Sequence, residues 1–233
     1  MKYGVVVFPG SNCDRDALFA IRDILGQEAI TLWHKDTDLR GVGCVIIPGG
    51  FSYGDYLRSG ALARFSPIMR SVAQFVTDGG CVLGICNGFQ VLCEAGLLPG
   101  ALRANHHQRF VCRNTHLLPE VKPDLPTHRL TPLKPLCIPI AHGEGAYHAD
   151  RDTLQQLRKN NQILFRYCDA DGNVNLEDNP NGAIDNIAGI CDKHRRVVGM
   201  MPHPERAAFS EQGNTDGLDI LRSIFSLWEG HSR

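Results

Sequence analysis

Two short stretches of this chain combine residue types that could carry acyl chemistry: Gly84-Ile85-Cys86-Asn87-Gly88 and Met201-Pro202-His203-Pro204-Glu205. A cysteine attacks carbonyl carbon as its thiolate, yet an unperturbed thiol is only about 3% ionised at pH 7. Cys86 is predicted to sit where a buried strand ends and a helix begins. There the free N–H groups and aligned peptide dipoles of the helix favour the charged form. Glycines two residues before and two after it match the sharp turn of a nucleophile elbow, which has no room for larger side chains. The competing reading, an inert buried thiol, suits the other cysteines better than this one.

A nucleophile of this kind needs a base, and the base needs a group to orient it. Of ten histidines, His203 stands out, because it follows a predicted strand and is flanked by two prolines that fix the backbone. Glu205 is close enough in sequence to hold the second ring nitrogen. Acyl transfer also needs donors where the oxyanion develops, each worth about 2.7–4 kcal/mol of barrier. The N–H of Asn87 is one candidate. The others lie in the glycine-rich loop Pro48-Gly49-Gly50-Phe51-Ser52-Tyr53-Gly54-Asp55, where the N–H groups of Gly50 and Phe51 are the choice. The lysine and Ser/Thr of a phosphate-binding loop are missing from it.

These residues have to be positioned by elements, and the first half of the chain alternates short β-branched runs with amphipathic stretches. Strands are predicted over 5–8, 29–33, 44–47 and 81–85. A helix is expected after Ser11 or Asn12, either of which could cap it, closing at Gly26. Further helices are predicted over 67–78 and 89–95. Strands buried on both faces and joined by helices imply a parallel sheet. Residues 116–139 carry six prolines without periodicity and read as an irregular surface segment. Order resumes over 138–141, followed by a helix near 152–159, a strand over 162–167, a hairpin-like pair over 187–191 and 197–201, and a last helix over 215–228. The fold class is therefore α/β with a mostly parallel sheet, in one domain.

Composition narrows the partners. A formal net charge of -1 gives no electrostatic reason to expect nucleic acid or an anionic membrane. No apolar run is long enough to span a bilayer, and the N-terminus lacks the pattern of a signal peptide. Nine cysteines without CxxC spacing point to free thiols in a reducing, cytoplasmic setting. His106, His107, Cys112 and His116 fit no common zinc spacing, so no metal is expected. Cys13 reads as a packing residue at a helix start.

Taken together, Pro-Gly-Gly-Phe at 48–51, Gly-Ile-Cys-Asn-Gly-Phe-Gln at 84–90 and His-Pro-Glu at 203–205 resemble the class I (triad) glutamine amidotransferases. Phe-Pro-Gly-Ser-Asn-Cys-Asp at 8–14, the run from Gly49 to Ala61, Pro-Ile-Ala-His-Gly-Glu-Gly at 139–145 and Asn-Pro-Asn-Gly at 179–182 narrow the resemblance to the glutaminase subunits of phosphoribosylformylglycinamidine synthases. The resemblance implies a flavodoxin-like three-layer domain, a single type 1 amidotransferase domain over 1–233. It also implies hydrolysis of glutamine to glutamate and ammonia through a thioester on Cys86, with His203 as base and Glu205 as its orienter. Gln90 and Arg109 would contact glutamine, and His142 and Glu144 belong to a family-specific loop. The implied partners are a large synthetase subunit and a small third subunit. ATP and magnesium are expected on the synthetase, with no cofactor on this chain. A thiol hydrolase of peptides or reactive carbonyls would not use a distant His-Pro-Glu, and a purely regulatory subunit would be expected to lose one of the three residues.

Overall fold

The valine- and isoleucine-rich runs form the centre of the sheet, as their burial demands. In the computed structural model, which describes residues 1–231, β1 (Lys2–Val7) pairs in parallel with β2 (Glu28–Trp33) and β3 (Cys44–Ile47). In turn β3 pairs with β4 (Cys81–Ile85), and β4 with β11 (Val197–Met200). Every residue of β3 and β4 is buried, which requires cover on both faces. The strand order β2-β1-β3-β4-β11 is that of a flavodoxin-like α/β fold, whose ligands gather at the carboxyl ends of the strands beside the switch point.

Beyond β11 the sheet continues antiparallel through β10 (Ile187–Cys191), β9 (Ile163–Cys168), β6 (Val111–Pro119) and β7 (Leu136–His142). A small second sheet pairs β5 (Ala101–Arg103) with β8 (Ala146–His148). The helices are α1 (Asp14–Phe19), prolonged by one π turn over Ala20–Ile24, α2 (Pro67–Thr77), α3 (Asn87–Glu94), α4 (Arg151–Lys159) and α5 (Asp216–His231). Among the described residues no helix is long and apolar enough to cross a membrane.

Two expectations need correction. Neither Ser11 nor Asn12 caps α1. The Ser11 hydroxyl accepts from the Phe8 N–H at 3.1 Å, Asn12 Oδ1 accepts from the Cys13 thiol at 2.9 Å, and Cys13 itself precedes the helix. The segment 116–139 is also not irregular throughout. Its two ends are β6 and β7, paired from Val111↔His142 to Leu117↔Leu136, and only 120–135 runs as turns and loop. Proline hid the strand because proline usually ends one. Here Pro139 lies in β7 at the very edge of the sheet, where a missing N–H costs no ladder bond.

Candidate active site

The elbow between β4 and α3 forces Cys86 to φ 51°, ψ -107°, a conformation costing on the order of 1–3 kcal/mol in a non-glycine residue. Such strain persists only where the surroundings over-determine it, and here they do. A Cβ on Gly88 would overlap the carbonyl oxygen of Ile47 in β3, and one on Gly84 would fall 2.7 Å from the Gly88 carbonyl oxygen. The helix start is thus pressed directly onto the sheet. The Cys86 N–H donates to Met200 O at 2.8 Å, so β11 holds the nucleophile's backbone as well.

From the end of β11 the chain delivers His203 to the same edge. His203 is 1% exposed, and its Nδ1 lies 2.7 Å from Glu205 Oε1. A carboxylate can only accept, so Nδ1 carries the proton and Nε2 is the basic nitrogen. That Nε2 has no hydrogen-bond partner among the described residues. Burial alone would depress this imidazole's pKa. The Glu205 carboxylate, the charge on Cys86 and contacts to the Cys13 and Cys86 thiols outweigh it and hold the pKa well above the ordinary value. The backbone is pinned too, since the His203 N–H donates to Pro139 O in β7 at 2.9 Å. Cys86 Sγ lies 3.7 Å from Ala141 O on the same strand. The edge strand β7 is thus a wall of the site.

Cys13 was not expected there. Its thiol is 2% exposed, and its sulfur, the His203 ring and the Glu205 carboxylate offer ligating atoms all within 4.8 Å of one another. Burial pushes the Cys13 thiol up, and its closeness to His203 works against that rise. Gly49 makes room for this cluster. A Cβ there would come within 2.6 Å of His203 Cε1 and 3.0 Å of Cys13 Sγ.

Of the three proposed oxyanion donors, the structure corrects one. The Phe51 N–H donates to Gly10 O at 3.0 Å and is not free. The reason is the switch-point geometry, which bonds the loop after β3 to the loop after β1. Gly50, with φ 140° and a Cβ position filled by the Ser11–Asn12 backbone, and Asn87, at the first position of α3, keep N–H groups that no helix bond consumes. The Asn87 side chain ties the loop to the elbow: Oδ1 accepts from Ser52 N at 3.1 Å, and Nδ2 donates to Asp55 Oδ1 and Gln90 Oε1 at 3.2 and 2.9 Å.

A cavity of about 170 Å³ opens over Cys86, with Gln90, Asp55, Glu144, Phe51 and Phe110 in its lining. Gln90 is there as expected, but its amide is engaged at both ends, donating to the Glu144 carbonyl as well as accepting from Asn87. Arg109 is not there. Its side chain is exposed outside the lining, its carbonyl accepts from Asn105 Nδ2, and its neighbour Phe110 faces the cavity instead. Burial pushes the Asp55 carboxyl up to about 6, Glu144 adding to the rise while hydrogen bonds from Ser59 and Asn87 oppose it.

Behind the cavity a buried amide network holds the 142–145 turn. Asn105 Oδ1 accepts from Gly145 N at 3.0 Å and from His142 Nδ1 at 3.2 Å, and Asn181 Nδ2 donates to Gly145 O at 2.9 Å and points at His142 Nε2 from 3.5 Å. One ring nitrogen donates and the other accepts, so His142 is neutral. Burial, helped by the His203 charge, pushes its pKa down to about 4.

A strained cysteine elbow, a buried His–Glu pair and a small cavity at the carboxyl edge of a flavodoxin-like sheet define a thiol-dependent amide hydrolase by form. Residues 1–220 match the model of the CobB/CobQ-like glutamine amidotransferase domain. The phosphoribosylformylglycinamidine synthase subunit PurQ of Moorella thermoacetica is 54% identical over 233 residues, covering 100% of this chain and 99% of the relative. The same subunit of Salinibacter ruber is 54% identical over 225 residues, covering 97% and 96%. A chain in the structure of PurLQS from Thermotoga maritima is 38% identical, with a TM-score of 0.83 and 97% of each chain covered. The chain belongs to the glutamine amidotransferases, in the family of phosphoribosylformylglycinamidine synthase PurQ subunits.

Proposed function

We propose that this chain, as one domain over 1–233, hydrolyses glutamine at Cys86 and passes the ammonia to a synthetase that uses it in purine biosynthesis. The observation that carries the reading is the strained Cys86 in the floor of a cavity, beside a buried His203 whose Nε2 has no hydrogen-bond partner among the described residues. The thiolate attacks the side-chain amide carbon, and the resulting oxyanion is met by the N–H groups of Gly50 and Asn87. The imidazolium gives its proton to the departing nitrogen, releasing ammonia and leaving a glutamyl thioester. Water then adds with imidazole as base, and glutamate leaves as the thiol regains its proton.

The name PurLQS, borne by the complex that contains a relative, supports a large synthetase subunit and a small third subunit as partners. On this reading ATP and magnesium act on the synthetase and this chain carries no cofactor of its own. Nine cysteines, all free, support a reducing, cytoplasmic setting. In the assembled complex, Cys86→Ala is expected to abolish glutamine-dependent synthesis while synthesis from added ammonium salt continues. Equal loss of both activities would count against the proposal.

A further inference from the structure

Resting on the glutamine reading above, we infer that Asp55 and Glu144 form the subsite that binds the α-ammonium group of the substrate. Both line the cavity over Cys86, and they reach it from distant parts of the chain, Asp55 from the loop after β3 and Glu144 from the turn after β7. Each is held in place by the machinery already described. Asp55 Oδ1 accepts from Asn87 Nδ2 at 3.2 Å, and Glu144 Oε2 accepts from the Ser59 N–H at 3.1 Å.

What they lack is a cation. Neither carboxylate has an ion-pair partner among the described residues, and the cavity lining contains no lysine or arginine. The nearest guanidinium along the chain, Arg58, is spent on a bidentate bond to Glu94 at 2.6 and 2.7 Å and meets Glu144 only through space, without a bond. His142, the one imidazole in the lining, is held neutral by its two asparagines. Two half-buried carboxylates sharing a cavity without a bonded counter-charge repel each other and are poorly solvated. A ligand with one positive charge relieves both costs. That the cavity is built for a ligand is marked independently by the nucleophile Cys86 in its lining and by His203, which lies beside that thiol, 1% exposed and with no hydrogen-bond partner for Nε2 among the described residues.

Of the groups on glutamine, only the α-ammonium is a cation. Placing it between Asp55 and Glu144 leaves the side-chain amide to reach Cys86, and it turns the cavity against acyl amides that have no such charge. Selectivity then comes from two carboxylates left unpaired by the wrong substrate, the kind of discrimination that apolar packing alone cannot supply.

The test measures ammonia release by the assembled complex from L-glutamine and from glutaramate, the same molecule without the α-amino group. Wild type is expected to show a KM for glutaramate at least about 10- to 100-fold above that for glutamine, the worth of a charge-assisted contact. In Asp55→Asn and Glu144→Gln, the KM for glutamine should rise by about tenfold with the KM for glutaramate moving far less, so that the preference collapses. Parallel rises for the two substrates, or no preference in wild type, would overturn the inference while leaving the glutamine reading standing. A wild-type complex that releases no ammonia from glutamine would overturn that reading, and the inference with it.

Discussion

The contact between His203 Nδ1 and Glu205 Oε1 at 2.7 Å does two separable things: it sets the tautomer and it raises the imidazole's basicity. Glu205→Gln keeps an acceptor for the Nδ1 proton but removes the charge, so His203 loses much of what holds its pKa up against burial. Glutamine-dependent kcat is then expected to fall about 100-fold. The alkaline limb of the kcat/KM profile, where the imidazolium that protonates the leaving ammonia is lost, should move to lower pH. A fall in rate with an unmoved pH profile would assign Glu205 a purely steric part. At this scale the sequence carried a great deal, because the elbow glycines and the His-Pro-Glu are local. It did not carry Phe51 or Arg109 correctly. Which N–H in a glycine-rich loop stays free depends on a bond to Gly10, and whether residue 109 or 110 faces the cavity depends on the path of a loop, so no local pattern announces either.

At the scale of elements, the junction of β3, β4 and α3 decides whether the nucleophile is presented at all. Gly88→Ala would drive a methyl into the Ile47 carbonyl oxygen, which can yield only by moving a central strand. A loss of about 3 kcal/mol is expected, read as a lowered midpoint in urea unfolding. Stability unchanged within error would mean that the helix can lift off the sheet without cost. The parallel half of the sheet was legible because its strands are continuous apolar runs between turn signals. The antiparallel half was legible only in part. β7 alternates buried and half-buried residues, a half-faced strand, and the prolines around and within it mimic a loop. Its place at the sheet edge, which makes Pro139 harmless, is a long-range fact, and so is the bond from His203 that gives the strand its part in the site.

At the scale of the whole molecule, Asn105, His142 and Asn181 fasten three distant stretches of chain around one neutral ring. In the unfolded chain a histidine takes up a proton below a pH of about 6.5, whereas folded His142 resists until about 4. Between those values the unfolded state binds more protons, so His142 contributes stability that is fully present above pH 6.5 and is lost as pH falls toward 4. The loss should reach up to about 3 kcal/mol. Urea unfolding of wild type and His142→Gln from pH 7 to pH 4 isolates the term, and equal pH slopes in the two proteins would refute it. The backbone at Cys86 sets a different tension. Its positive φ is one that glycine would adopt freely, so the chain would fold more securely with no thiol there. Thermodynamic fitness and chemical purpose therefore pull in opposite directions at this one residue, and the cysteine endures only as long as a reaction demands it.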